Sequence, residues 1–298
     1  MHANPAKYKP QECAGARLCG ILADCGRRVG LMSDIMVAGA AGRMGRQLVK
    51  AILERNDVRL TGATEHPDSP HIGMDIGLLV GNESLGVEIV PGIESVTAAF
   101  DTVIDFTAPA STRSLLKHAS DKGTRLIIGT TGLDDNDQQL IRETAAKTSV
   151  VFAANYSVGV TLSLELLAHA ARVLGPDYDI EVIEAHHKHK VDAPSGTALA
   201  MGHAMANAID KDLKNCAVYS REGITGARPD GGIGFSTIRA GEIIGEHTVL
   251  FVGQGEQLEV THKATERMTF ARGAVRAAAW VAAQPVGLFD MSDVLRPS

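Results

Sequence analysis

From Ser33 onward the apolar and polar positions fall into a regular rhythm. Asp34-Ile-Met-Val-Ala-Gly39 is a short apolar run ending in glycine, the pattern of a strand buried on both faces of a parallel sheet. Met44, Leu48, Val49, Ile52 and Leu53 recur at helical spacing and predict a helix over Arg46 to Arg55. Val58 to Thr64, Val87 to Val90 and Thr102 to Phe106 read as further strands. A helix over Ser111 to Ser120, a strand over Arg125 to Ile128, a helix over Asp135 to Lys147 and a strand over Val150 to Ala153 complete the first half. Strands alternating with helices in this way predict an α/β fold, a Rossmann-type doubly wound parallel sheet.

After Asn155 the texture changes. Val160 to Leu174 reads as a helix, Tyr178 to Glu184 as a strand, and the Ala- and Met-rich Thr197 to Ile209 as another helix. Glycine-punctuated runs follow at Ile233 to Ala240, His247 to Val252 and Gln257 to His262, which suit an open mixed sheet. A final helix is expected over Thr269 to Ala283, packing back on the first half. The expected division is an extension (1–32), a dinucleotide-binding domain (33–157), a smaller α+β domain (158–268) and a returning C-terminal helix (269–298).

Composition narrows the class. A chain of 298 residues suits roughly two domains with ample core, and 45% hydrophobic with 21% charged residues is ordinary for a soluble globular protein. Net charge of −6 and a pI near 6.0 argue against nucleic-acid or anionic-membrane partners. No uninterrupted apolar run approaches the ~18–20 residues of a membrane span. Cys13, Cys19, Cys25 and Cys216 lack zinc-type spacing, so reduced thiols and a cytoplasmic setting are expected. His2 to Gly30 has neither periodicity nor a secretory core; a disordered tail or a start upstream of Met32 is favoured over a targeting segment.

Gly39-Ala40-Ala41-Gly42-Arg43-Met44-Gly45 follows a predicted strand and opens a helix, the context in which a glycine fingerprint has meaning. Gly39 permits a tight turn, Gly42 lets backbone approach a pyrophosphate, and Gly45 allows close helix–sheet packing. Arg43 adds charge against a phosphate. Glu65 ends the second strand 20 residues after Gly45, where an acid hydrogen-bonds ribose hydroxyls and favours NAD over NADP. His66 beside it pulls the other way, since an imidazolium accepts a 2′-phosphate.

Gly129-Thr130-Thr131-Gly132 and Ala153-Ala154-Asn155-Tyr156 both follow predicted strands, and Phe106-Thr107 holds a similar place. Ligands of open α/β sheets sit at such carboxyl ends, and small residues there let a nicotinamide ring lie close to backbone. Ordinary strand-to-helix turns give the same composition.

Glu184-Ala-His-His-Lys-His-Lys-Val-Asp-Ala-Pro-Ser-Gly-Thr197 is the densest chemical signal, with three His and two Lys in positions 186 to 190. It admits three readings. A metal site is opposed by the neighbouring lysines and by the lack of a third ligand. A solvated basic loop is the second. The favoured one is an acid/base site with a carboxylate anchor. There His186 exchanges the proton, Lys190 neutralises or protonates substrate, and Ser195 caps a helix whose Gly196 and Thr197 amides face an anion. Elsewhere, His169 and His203 lie on predicted helices as structural or surface residues. Asp105 and Glu165 sit in apolar surroundings without a visible partner. Gly223 to Gly234, containing Arg228, reads as a mobile loop able to approach the site.

Together these segments resemble the 4-hydroxy-tetrahydrodipicolinate reductase (dihydrodipicolinate reductase) family of the bacterial and plant lysine pathway. The resemblance runs from about Ile35 to Leu295. It is carried by Val37 to Arg46, Ile104-Asp-Phe-Thr107, Gly129 to Gly132, Ala153 to Gly159, Glu184 to Ala198 and Thr237-Ile-Arg-Ala-Gly241. It implies a Rossmann-type domain and a substrate domain that assembles a homotetramer through its sheet. NADH or NADPH would deliver hydride to a cyclic unsaturated imine dicarboxylate. By the same resemblance His186 is the acid/base, Lys190 a proton donor, His187 a substrate contact, and Gly196-Thr197 a carboxylate holder. Gly39 to Met44, Glu65, Gly129 to Thr131 and Ala153 to Tyr156 would line the cofactor, with His66 beside them. Three positions depart from the family pattern. Ala108 stands where some members are basic, His66 where Arg is often found, and Tyr156 where Phe is common, with stacking on the cofactor expected to survive.

Two other readings remain at this stage. One is another nicotinamide-dependent reductase of an amino-acid pathway, such as an aspartate- or homoserine-dehydrogenase-like protein. The other is a non-catalytic nucleotide-sensing protein, against which intact His186 and Lys190 argue. Glu65 and His66 leave NADH versus NADPH open.

Overall fold

A computed structural model describes residues 32–296, so the expectations for the N-terminal extension up to Leu31, and for Cys13, Cys19 and Cys25, lie outside the described residues. The elements run β1 (Ser33–Ala38), α1 (Arg43–Leu53), β2 (Val58–Glu65), α2 (Ile76–Leu79), β3 (Ile89–Pro91), β4 (Thr102–Asp105), α3 (Pro109–Lys122), β5 (Arg125–Ile128), α4 (Asp135–Ala145) and β6 (Ser149–Phe152). They continue with α5 (Val158–Leu174), β7 (Asp179–His186), α6 (Gly196–Ala208), α7 (Leu213–Cys216), β8 (Ala217–Val218), β9 (Ile233–Arg239), β10 (Gly245–Val252), β11 (Gln257–Ala264), α8 (Met268–Val281), β12 (Gly287–Phe289) and α9 (Met291–Leu295).

The first sheet has seven strands in the order β12-β6-β5-β4-β1-β2-β3, all parallel. Strand order reverses between β1 and β4, which opens a crevice at their carboxyl ends. Ile35, Met36 and Val37 are wholly buried, as a central parallel strand requires. Leu48, Val49 and Ile52 of α1 pack with Ala274, Val275 and Ala278 of α8 in one apolar cluster. Leu115, Leu116 and Ile141 of α3 and α4 belong to another. Each such Leu or Ile contributes roughly 1.5–3 kcal/mol by leaving water. Pro109 in the first turn and Gly123 at φ 74° bound α3, and an Asp134–Asp137 capping box starts α4. α8 packs against β1, β4, β5 and β6 of the first sheet. β12, absent from the sequence expectations, pairs with β6; three residues are too few to show a period.

The second sheet is mixed, in the order β11-β10-β7-β9-β8, with β7 antiparallel to β10 and parallel to β9. Ile180, Val182, Phe235, Val249 and Phe251 face α5 and α6, meeting Leu167, Ala171, Met201 and Met205. The alternate residues Ile183, Leu250 and Ile238 point the other way, and Ile238 is 47% exposed.

Four expectations change. The segment Val158–Asp177 is long and apolar enough to cross a membrane by length and composition, with mean hydropathy 1.3. Glu165, His169 and Arg172 interrupt the run, which is why counting unbroken apolar residues missed it; Leu167 and Ala171 pack on the second sheet. Asp105 does have partners: wholly buried, it accepts hydrogen bonds from Thr107 and Thr112. Glu165 is exposed rather than set in apolar surroundings. Arg228 does not approach the His/Lys segment. It pairs with Asp179 and Glu181 and donates to the Ile180 and Gly232 carbonyls, at the end of β7 opposite His186.

Candidate active site

Alternation along β7 puts Glu184 and His186 on the same face. Glu184 is wholly buried and heavily bonded. Its Oε1 accepts from the Ser195 amide at 3.0 Å and from Arg239 Nη2 at 2.8 Å; its Oε2 accepts from Arg239 Nη1 at 2.8 Å. Burial opposes this charge, but the bonds from Arg239, His186 and Ser195 outweigh it and hold the carboxyl below its usual range. His186 Nδ1 lies 2.6 Å from Glu184 Oε2. A carboxylate only accepts, so Nδ1 carries hydrogen and Nε2 is left for chemistry. A side chain at Gly245 would crowd that atom, its Cβ standing 3.1 Å from Nε2. Burial pulls the His186 imidazole below its ordinary value against the attraction of Glu184, and the Lys190 and Arg239 cations add to the lowering.

Ser195 caps α6 as expected, its Oγ accepting from the Ala198 amide at 3.1 Å. Gly196 and Thr197 occupy the first turn, where amides lack intrahelical acceptors and favour an anion. Asn155 Nδ2 donates to Thr197 Oγ1 at 3.0 Å, which ties the end of β6 to the start of α6. Between them lies a cleft of ≈ 650 Å³ walled by Thr131, Ala153, Ala154 and Asn155 on one side and by His186, Lys190, Gly196 and Thr197 on the other. Lys190 Nζ is 2.8 Å from Asp192 Oδ1, a partner within the cleft wall. His187 follows directly on the end of β7, and its Nδ1 is buried without a hydrogen-bond partner among the described residues.

The glycine turn stands along the same sheet edge, at the end of β1, three strands from β6 or roughly 14 Å at ~4.8 Å per strand. Gly39 has φ +64°, and a Cβ there would stand 2.8 Å from the Thr107 methyl. A Cβ on Gly45 would fall 2.1 Å from the Gly39 carbonyl, so only glycine lets α1 start this close to β1. Gly42 caps α1 with no side-chain bond, and the turn runs straight into the helix at Arg43, earlier than expected. Ala40 and Ala41 are buried, Met44 half-buried and Arg43 exposed. Glu65 Oε2 accepts from the Ala41 amide at 3.1 Å, fixing the acid beside the turn. His66 is exposed, with Nδ1 3.6 Å from Asp68. A cradle free of side chains, a helix start and an adjacent acid fit a dinucleotide.

Two residues expected to line a cofactor are turned inward. Thr130 is buried, its Oγ1 accepting from the Thr107 amide at 3.0 Å, so its side chain ties β4 to β5. Tyr156 is 1% exposed and donates to the Ile128 and Val151 carbonyls, against Phe106. The hydroxyl that distinguishes it from Phe found carbonyl acceptors in the core, so the expected stacking does not occur.

Sequence reasoning gave no role to Arg239, although Thr237-Ile-Arg-Ala-Gly241 was among the matching segments, and it missed His247 and the Asp290-Met291-Ser292 wall. Arg239 pairs in register with His186 across β9 and β7, and His247 with Glu184 across β10 and β7. A pairing across 50 or more residues is not written in the local pattern of either strand. Asp290 to Ser292 enter the cleft through the short α9.

The family described as dihydrodipicolinate reductase, N-terminus, matches residues 33–156, and its C-terminus counterpart matches 159–295. Among solved structures, dipicolinate-bound dihydrodipicolinate reductase from Paenisporosarcina sp. TG-14 is similar at TM-score 0.70 and 26% identity, covering 87% of this chain and 97% of that one. A myo-inositol dehydrogenase from Corynebacterium glutamicum ATCC 13032 shares the fold at TM-score 0.55 and 15% identity, covering 86% and 90%. An amine dehydrogenase from Mycobacterium smegmatis does so at TM-score 0.53 and 14%, covering 89% and 96%.

Proposed function

Because the chain belongs to the dihydrodipicolinate reductase family, we propose that its cleft binds a cyclic unsaturated imine dicarboxylate with His186 as the proton donor. The protein is an NAD(P)H-dependent oxidoreductase of lysine and diaminopimelate biosynthesis, reducing 4-hydroxy-tetrahydrodipicolinate, via dihydrodipicolinate, to tetrahydrodipicolinate. The observation that carries the residue assignment is the buried Glu184 carboxylate 2.6 Å from His186 Nδ1, beside a cleft that the start of α6 also walls.

Bound NADH or NADPH supplies the hydride. Gly39, Ala40, Ala41, Gly42, Arg43 and Met44 would hold its pyrophosphate end and Glu65 its ribose; Gly129, Thr131, Ala153, Ala154 and Asn155 would flank the nicotinamide. Both cofactors suit this reading, since Glu65 accepts ribose hydroxyls and exposed His66 beside it can meet a 2′-phosphate. His186 delivers its proton from Nε2 to the reduced carbon skeleton, and Glu184 steadies the ring while it is charged. Lys190, released from Asp192, and the Gly196 and Thr197 amides hold the carboxylates.

The assembly we propose is a homotetramer built through the outer face of the second sheet, where Ile183, Leu250 and Ile238 stand. The functional division is 33–157 for the nucleotide, 158–268 for substrate and assembly, and 269–298 for the returning helix. A cytoplasmic setting suits the free thiol of Cys216. Following NADH and NADPH oxidation with freshly generated substrate tests the reaction and ranks the cofactors by kcat/KM. No oxidation at any cofactor concentration overturns the reading.

A further inference from the structure

We propose that His247 is a positioning residue that fixes the dicarboxylate-binding end of α6 relative to His186, acting through Ser195. The inference rests on the dicarboxylate reading above and adds a residue that touches neither substrate nor cofactor in it.

His247 lies on β10, opposite Glu184 of β7 on one side and His262 of β11 on the other, and is 4% exposed. Its Nε2 is 2.9 Å from Ser195 Oγ, the same oxygen that accepts the Ala198 amide at 3.1 Å. The Ser195 amide is meanwhile bonded to Glu184 Oε1 at 3.0 Å. Two adjacent strands therefore hold the cap of α6, one by its backbone and one by its hydroxyl. The two residues after that cap are Gly196 and Thr197, which wall the cleft from the first turn of α6.

The same ring meets His186 edge-on, with centroids 5.1 Å apart and planes at 74°. One imidazole thus touches both the proton donor and the anchor of the anion-binding helix. Burial, and secondarily the nearness of His186, push His247 down to about 4, so it is neutral near pH 7. A neutral Nε2 accepts the Ser195 hydroxyl hydrogen, while Ser195 Oγ accepts from Ala198. The hydroxyl's own hydrogen is then committed to the sheet, so Ser195 acts on the ligand by placing the next two amides. His247 Nδ1 is buried with no partner among the described residues, a cost that an apolar residue would not carry. The bond to Ser195 is what a histidine adds there.

His247→Leu removes that bond and keeps the apolar packing; His247→Gln keeps an amide group near the position of Nε2. For His247→Leu we expect pyridine-2,6-dicarboxylate, titrated by calorimetry, to bind about tenfold more weakly and the substrate KM to rise about as much. Coenzyme affinity should stay within about twofold, and His247→Gln should recover most of the loss. A folded His247→Leu protein with wild-type dicarboxylate affinity and KM overturns the proposal, as does a folded His247→Gln no better than Leu. If His247→Leu fails to fold, Ser195→Ala cuts the same link from the other side, and wild-type affinity there overturns it equally. Wild-type protein that neither binds pyridine-2,6-dicarboxylate nor turns over sinks the dicarboxylate reading itself. Normal wild-type turnover with unaffected variants sinks only the role of His247.

Discussion

Glu184 Oε2 lies 2.6 Å from His186 Nδ1, and the carboxylate is wholly buried while the imidazole reaches the cleft. Glu184 therefore sets the tautomer of His186, and Arg239 in turn neutralises Glu184 from 2.8 Å. Replacing Glu184 with Gln keeps the shape and removes the charge. We expect kcat to fall about 10²-fold and dicarboxylate affinity to change less, because the proton donor loses orientation before the anchor does. Stability should fall by roughly 2–3 kcal/mol in denaturant titrations, as Arg239 loses a largely buried partner. Wild-type turnover in a folded Glu184→Gln enzyme would remove the carboxylate from the positioning role.

His186 itself sets a pH dependence whose direction follows from its surroundings. Burial lowers its pKa below the ordinary 6.5, and the reaction needs it protonated. Free-enzyme activity, read as kcat/KM, should be highest on the acid side and fall about tenfold per pH unit above that lowered pKa. His186→Ala should reduce kcat by ~10²–10⁴-fold, with coenzyme affinity little changed, and abolish the limb. In Glu184→Gln the limb should move further to acid, since Glu184 is the group that raises the His186 pKa. A limb that persists in His186→Ala belongs to another group, and His186 would then lose its assignment.

Lys190 is held 2.8 Å from Asp192 in the structure, so binding a dicarboxylate exchanges one anionic partner for another. Lys190→Ala should raise the substrate KM about tenfold and lower kcat as well, because the cation both anchors and orients. Asp192→Asn frees the ammonium, and its KM should not rise. Steady-state kinetics on the two variants read this directly; unchanged KM and kcat in Lys190→Ala would refute the anchor.

Much of this site was legible because its chemistry is local in sequence. Gly39, Gly42 and Gly45 sit within one turn, and His186, Lys190, Ser195 and Gly196 within eleven residues, so local spacing pointed to the turn and the helix cap and drew attention to His186. The doubly wound sheet was legible for the same reason, each strand and helix carrying its own period. What stayed hidden depends on sheet register. Arg239 reaches Glu184 only because β9 pairs with β7 in parallel, and His247 only because β10 pairs with β7 antiparallel. Tyr156 misled for another reason. A polar aromatic at a strand end reads as a ligand contact until its hydroxyl is seen bonded to Ile128 and Val151 inside the core.

The buried neutral state of His247 also makes a prediction about stability. In the folded protein this group titrates at about 4 against 6.5 when exposed, so between these values the unfolded chain binds the extra proton. Stability must then decline as pH falls through that window and level off below the folded pKa. From pH 7 to pH 5 the loss from this one residue is about 2 kcal/mol. Thermal or denaturant unfolding of His247→Gln, which cannot titrate there, should show a correspondingly shallower decline over the same interval. The nearby His186 and His262 are also lowered by burial and add to the slope in both proteins, so the difference between wild type and variant isolates His247. Parallel stability curves for the two would mean that folding leaves the His247 pKa unshifted, so that the ring charges as pH falls through 6.5. A charged ring would donate to Ser195 rather than accept from it, releasing the serine hydroxyl toward the cleft.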